Sequence, residues 1–437
     1  MRLIVIAVLV CFIAGFECRE LKEAFTWSRI SYAGLGSTES RNGYQQEGAS
    51  SSSTFLFPES GNDQNNFGGS YIYENNIPMG ANRWKDKLFV TVPRRRVGVP
   101  STLNFVWMNS TERHNVPLIP YPNWRINQFD PTREPDNFVS IYRTAVDACD
   151  RLWMVDTGLI ETPGNNTRVL PARIIIIDLN TDKVIRQYTL KPSDVVPHST
   201  LANLAVDVTA NTCDRAFLYI PDLSGYGLVV YDFHENDSWR VRHNFFFVES
   251  LHGDFNVGGQ RFHWNDGVFS VALSGVNPDG FRTMYFHSMA GVHIFSVSTR
   301  VVRDRGLATR SNHESDFKIA AERAGGSQTS ASDLHQPSGV LFLSLVNQNA
   351  IGCWNVNNNA RSENFDIIHK DDQKLIYPCD LKVYQDEVIV LSNTMPVFLF
   401  ARLNYDETNF RVWISKVSDA VRDTSCAAMH RKPAGRY

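Results

Sequence analysis

The chain has no excess of charge of either sign. Its 437 residues carry 43 Lys and Arg against 46 Asp and Glu, a net charge of −3, so no field gathers a polyanion and nucleic acid is not expected as a partner. Beyond the extreme N-terminus no apolar run is long enough to cross a bilayer, so no membrane span is expected in the interior. No C-x-x-C occurs, which removes a zinc knuckle and a thioredoxin-like redox pair. There is no G-x-S-x-G elbow, H-E-x-x-H, Walker loop or EF-hand loop, and no cluster with metal-ligand spacing. Neither a metal nor a cofactor is therefore expected. Gly225-Tyr226-Gly227 falls in a turn between strands and not before a helix, so it is no dinucleotide fingerprint. Helical stripes are scarce, with only 318–324 and 418–422 as short candidates.

What is present points to an exported β protein. The length allows about three average domains by the usual prior, and apolar residues at 43% with charged ones at 20% are ordinary globular composition. Aromatic residues and glycine are abundant, with 27 Phe, 15 Tyr, 9 Trp and 27 Gly, a mixture that favours strands joined by many turns. Met1-Arg2, an apolar stretch over 3–14 and small residues after it describe a secretory signal peptide over 1–18, cleaved between Gly15 and Cys18. The run is short for a membrane anchor. Sequons at Asn109, Asn165 and Asn236 lie in polar stretches between apolar runs, as surface glycosylation sites would. Seven cysteines become five once residues up to 18 are removed, which allows at most two disulfides and one thiol.

A repeat sets the fold. The segment 36–69, rich in Ser, Gly, Asn and Gln, is expected to be a flexible surface insertion. After it, a short strand, a turn, a second apolar strand, a polar residue and a third strand recur. The second strands and their exits read LFVTVPR, LWMVD, LYIPD, MYFHS, LSLVN and VIVLSN, ending at 94, 156, 222, 288, 347 and 393. First strands precede them at 144–147, 204–207, 269–273 and 380–383; third strands follow, as at 227–232 and 397–403. Six copies of a meander predict an all-β, six-bladed β-propeller forming one domain over 19–437. Each blade buries its faces against its neighbours, so the unit is stable as a closed ring, here closed between 26–32 and 409–417. Separate β-sandwiches would need independent cores near 100 residues and linkers between them, and none is visible after Gly69.

Blade geometry then locates a site. Loops from second to third strands and loops leading into first strands share one face, where ring folds hold ligands. The exits carry Arg94, Asp156, Asp222, Ser288, Asn347 and Asn393; the lead-ins carry Asn265-Asp266-Gly267, Ser327-Gln328-Thr329-Ser330 and Tyr377-Pro378-Cys379-Asp380. With Phe286, Tyr377 and Trp264 as neighbours, the mouth suits a small, polar aromatic molecule. Asp and Asn at strand ends also cap turns through side-chain to backbone hydrogen bonds, a structural use of the same residues. His263 and His287 are candidate general bases, because a neutral imidazole titrates near working pH.

These residues resemble a known family. DACDRLWMVDTG (147–158), PDLSGYGLVVYD (221–232), MYFHSMAG (284–291), STRVVRD (298–304), GVLFLSLVNQNAIGCWN (339–355) and VLSNTMPVFLF (390–400) are similar to the signature of the yellow / major royal jelly protein family of insects. Coverage runs from about Trp27 to Cys426. YENNIPMGANRWKDKLFVTVPRRRVGVPSTLNFV (73–106) and NVGGQRFHWNDGVFS (256–270) resemble the yellow-f type. The resemblance implies a secreted six-bladed propeller, disulfides Cys149–Cys213 and Cys353–Cys426, and association with dopachrome conversion in the melanin pathway. It places Cys379 where the family usually shows Ser; a small buried side chain is the expected reading of that departure.

Two functions compete. An L-dopachrome isomerase needs a base for the ring proton and a cation or donors for the carboxylate and the developing quinol oxygens. Blade register casts Arg94 for the carboxylate, His287 or Asp156 as base, and Asn347 and Asn393 as donors. A non-catalytic binder of small aromatic amines would use the same mouth, Thr329 among its residues, with Asp156 or Asp222 on the ammonium and Phe286 against the ring. A cuticle or developmental factor without small-molecule chemistry is the third option the family offers.

Overall fold

The computed structural model describes residues 21–35, 71–128, 136–162 and 165–427. The leader over 1–18 and the insertion over 36–69 lie outside the described residues. Short runs of β-branched and aromatic residues, cut by turns with residues at positive φ such as Lys85, Asp150 and Gln385, fold as antiparallel meanders. Six four-stranded sheets result, the blades of a six-bladed propeller.

Blade 1 holds Gly80–Trp84, Lys87–Thr91, Leu103–Trp107 and Ile119–Pro120 from the axis outward. Blade 2 holds Ile141–Val146, Arg151–Asp156, Arg173–Asp178 and Lys183–Thr189. Blade 3 holds Ala205–Asp207, Phe217–Asp222, Gly227–Asp232 and Asp237–Val241. Blade 4 holds Val268–Val276, Arg282–Ser288, His293–Ser298 and Lys318–Glu322. Blade 5 holds Thr329–His335, Val340–Leu345, Ala350–Asn355 and Phe365–Lys370. Blade 6 takes Pro378–Tyr384, Glu387–Ser392 and Phe410–Lys416 from the end of the chain, and Lys22–Trp27 from its beginning as the outermost strand.

Ring closure therefore uses 22–27, which shares Thr26 and Trp27 with the expected 26–32, while Tyr32 bridges Leu118 beside blade 1; Phe25 and Trp27 are buried in the closing strand. Two other expectations are corrected. Residues 318–322 form the outer strand of blade 4, pairing with His293–Ser298; the helical turns lie just before, at Thr299–Arg303 and Arg305–Thr309. The segment expected as a third strand over 397–403 begins inside a helical turn, Met395–Phe400, with Pro396 in its first turn and the Asn393 side chain accepting from the Met395 N–H. Proline is pre-organised for that position and cannot donate to a sheet ladder.

Apolar layers lie between neighbouring blades. Trp153, Ile174 and Ile176 of blade 2 meet Leu218, Val229 and Tyr231 of blade 3; Tyr219 and Val230 of blade 3 share a layer with Met284 and Phe286 of blade 4. Each fully buried side chain of this size contributes about 1.5–3 kcal/mol. Around the axis the innermost strands are also stitched by polar contacts at all six junctions. Asn82 donates to Thr144 O, Arg143 to Ala202 O, Asn203 to Phe269 O, Ser270 to Ser332 O, Ser330 to Pro378 O, and the Ala81 N–H to Asp380. Cys149–Cys213 joins the first-to-second-strand turns of blades 2 and 3, and Cys353–Cys426 ties blade 5 to the segment after the last helical turn. Cys379 is a buried free thiol whose pKa burial pushes up. No helix among the described residues is long and apolar enough to cross a membrane.

Candidate functional site

Asp156 and Asp222 end the second strands of blades 2 and 3, as expected, yet both are fully buried. The Asp156 carboxylate accepts the N–H groups of Val139 and Ser140 at 2.9 and 2.8 Å and pairs with Arg173 at 3.0 Å. Asp222 accepts from Thr200 N and Gly225 N at 2.9 and 3.0 Å and from Ser199 Oγ, and pairs with Arg240 at 2.8 Å. In each blade an aspartate thus pins the loop leading into its own first strand, and an arginine from farther out neutralises it. These are latches, the capping use of strand-end acids, with their oxygens engaged within the fold.

Several of the other expected residues are also committed within the fold. Arg94 donates to the carbonyl oxygens of Val99, Pro100, Asn127, Phe138 and Val139, so its guanidinium is committed to the backbone. His287 is buried between Ser288 O at 3.1 Å and Ser332 Oγ at 3.0 Å, and burial pushes its pKa down to about 3. A group so weakly basic is a poor proton acceptor at neutral pH. Phe286 lies in an aromatic layer with Phe246, Phe295 and Phe317. Thr329 is buried against Arg323 and Ser327 O. Asn393 ties blade 6 to Pro78 O of the segment leading into blade 1. Asn347 is half-buried at the mouth, where it accepts from Asn256 N at 2.9 Å. His263 is exposed beside Asp254.

The same face does gather a different constellation. Arg95, next in the chain to Arg94, reaches Tyr142 Oη at 3.2 Å and Glu161 at 3.2 Å, and the Tyr142 hydroxyl also donates to Glu161. The Arg95 Nε is buried and has no hydrogen-bond partner. Asp266, on the lead-in to blade 4, accepts from Trp264 Nε1 and from Ser224 Oγ at 3.2 Å. Burial raises its pKa against those two hydrogen bonds and the field of Arg95. Tyr377, on the lead-in to blade 6, lies within the fields of both Asp266 and Arg95, and its ring is buried. One guanidinium, two carboxylates, two phenols and an indole thus converge from blades 1, 2, 4 and 6.

A hairpin, Asp254–Val257 and Gln260–His263, roofs part of this mouth. Its tip, Gly258-Gly259, has φ of +59° and +75°, the left-handed region that glycine takes without strain. Phe255 stacks on Phe262 at 5.3 Å and Phe262 packs on Phe400 at 5.2 Å, so the hairpin is seated on the helical turn of blade 6. Asn347 and Gln328 of blade 5 hold its backbone.

Sequence reading placed Asp266, Trp264 and Tyr377 at the mouth and took Arg94 from the run 94–96, where the structure turns Arg95 towards this constellation. Tyr142 carried no signal, being one aromatic in a buried strand. Glu161 belongs to a small hairpin, Leu159–Thr162 with Asn165–Arg168, inside a connection whose length alone does not announce it.

A family model described as Major royal jelly protein matches residues 139–426. L-dopachrome tautomerase yellow-f of Drosophila melanogaster is 38% identical over 360 residues, 82% of this chain and 83% of that one. Protein yellow of Drosophila melanogaster is 36% identical over 411 residues, 93% of this chain and 71% of its own. Protein yellow of Drosophila simulans is 39% identical over 376 residues, 85% and 68% respectively.

Proposed function

This chain belongs to the major royal jelly protein family, and on that footing we propose that it is a secreted protein that converts L-dopachrome to a dihydroxyindole at the roofed mouth. The observation that carries the reading is Arg95, a half-buried cation whose buried Nε has no hydrogen-bond partner among the described residues, set among aromatic rings and beside a carboxylate whose pKa is raised. Arg95 holds the substrate carboxylate. Asp266 takes a proton from a saturated ring carbon, the freed electron pair moves into the ring, and one quinone oxygen gains a proton from the Tyr142–Glu161 pair, giving a quinone methide. A second ring-carbon proton is then lost and the second quinone oxygen gains one, both exchanged through solvent, which completes the dihydroxyindole. The proton count balances and no electrons leave the substrate, so the isomerisation calls for an acid and a base and nothing redox-active. Trp264 and Tyr377 flank the ring. Export rests on the leader over 1–18 and on two disulfides of the kind kept in oxidising compartments. Asn109 and Asn236, exposed in turns, carry glycans in this reading, and Asn165 is the third sequon.

The test follows the decay of dopachrome absorbance with purified secreted protein, with the product identified by chromatography. Arg95→Gln should raise KM tenfold or more and Asp266→Asn should lower kcat, each without loss of fold. A wild-type rate equal to that of the heat-killed control sinks the reading. A second reading, amine binding, is favoured by the two carboxylates facing one guanidinium. Calorimetric titration with dopamine and serotonin separates the two, since saturable binding without turnover selects the binder.

A further inference from the structure

The bore of the ring is divided. Beneath the mouth, Arg143 of blade 2 pairs with Asp380 of blade 6 at 3.2 Å and donates to Ala202 O of blade 3 and to Cys379 O. This buried bridge spans three blades and closes the bore at its waist. Below it lies a separate cavity of about 330 Å³ that reaches the opposite face, where the first-to-second-strand turns at Gln336 and Asp386 line its rim.

The cavity has two unlike walls. Blades 2, 3 and 4 line it with apolar residues, Val146, Leu204, Val271 and Leu273 among them; blades 1, 5 and 6 contribute the polar Asn82, Ser332, Asp333, Lys382 and Tyr384 together with the apolar Leu334, Pro337 and Val383. Lys382 extends from blade 6 across the axis to Asn203 Oδ1 of blade 3 at 3.4 Å, with Asp380 at 3.9 Å. An ammonium has three hydrogens to donate, and this contact uses one. Asp333 accepts the Leu334 and Val383 N–H groups, each at 2.8 Å, which leaves half of the four lone-pair directions of a carboxylate. Lys382 is buried and Asp333 half-buried; each lies in the other's field and keeps hydrogen-bond capacity that a ligand of matching charges, lying on the apolar wall, would use.

We propose that this lower vestibule is a second ligand site, for a free α-amino acid with an apolar or aromatic side chain. Lys382 takes the carboxylate, Asp333 takes the ammonium, and the side chain lies on the wall of Val146, Leu204, Val271 and Leu273. A volume of about 330 Å³ admits one such molecule and falls at the small end of ligand pockets. The site shares no residue with the upper mouth and does not rest on the tautomerase reading.

The probe is L-phenylalanine, titrated calorimetrically into the purified full-length protein. Phenethylamine, which lacks the carboxylate, and 3-phenylpropionate, which lacks the ammonium, test the two charges without any substitution. Each should bind at least tenfold more weakly than L-phenylalanine. Lys382→Met and Asp333→Asn should each weaken L-phenylalanine at least tenfold, Ala205→Phe should fill the cavity and abolish binding, and Arg95→Gln at the other mouth should leave it unchanged. Melting curves establish that each variant is folded. No binding by the wild type overturns the proposal. So does equal binding of either half-molecule, loss in only one charge variant, or loss in Arg95→Gln.

Discussion

Arg94 and Arg95 are adjacent in the chain and differ in what surrounds their guanidinium groups. Arg94 satisfies five buried carbonyl oxygens, so Arg94→Gln should lower unfolding free energy by about 3 kcal/mol or more, each orphaned buried acceptor carrying a desolvation penalty. Arg95→Gln should leave the denaturant midpoint near that of the wild type, which makes the pair an internal control. His287 gives a pH prediction with a definite sign. Its folded pKa of about 3 lies below the ordinary histidine value of 6.5, so the unfolded chain binds the proton more readily. The neutral-imidazole contribution is complete above pH 6.5 and is lost as pH falls towards 3, at up to about 1.4 kcal/mol per pH unit. In urea titrations at successive pH values, His287→Gln should show the shallower acid loss. Sequence could not place these side chains, since two arginines in a row have the same pattern and only packing decides which one faces carbonyl oxygens. The aspartates were legible as strand ends, and their alternative use as turn caps is the one the fold adopts.

At the scale of elements, the second strands were the most readable, because five of six polar exits sit within two residues of a strand end, as at Asp156, Asp222 and Ser288. What escaped was irregular: the turn Met395–Phe400 reads as an apolar strand until Pro396 is given its weight, and 318–322 reads as a helix because its partner strand is not visible in sequence. The hairpin Asp254–Val257 and Gln260–His263 also escaped as an element, although its Gly258-Gly259 turn was present to be read. Its hold on the mouth depends on Phe262 between Phe255 and Phe400. On the proposed reading, Phe262→Ala should loosen the roof and raise KM for dopachrome several-fold while kcat changes less, because Asp266 is held outside the hairpin by Trp264 and Ser224. Faster amide exchange at 254–263, read by mass spectrometry, checks that the change is local.

The whole molecule is a ring whose last blade borrows its outer strand from the start of the chain. Phe25 and Trp27 are buried in that strand, and Trp27→Ala should cost about 3–5 kcal/mol, in the range of large aromatic truncations, read as a lower denaturant midpoint. Strand Lys22–Trp27 pairs with Phe410–Lys416, and some 380 residues separate the two. Synthesis at about 5–20 residues per second puts roughly 20 to 80 seconds between the appearance of one strand and its partner. During that interval the first-made strand lacks the edge it pairs with in the finished ring. Completion of this protein is thus timed by the ribosome: its clasp is issued first and fastened last.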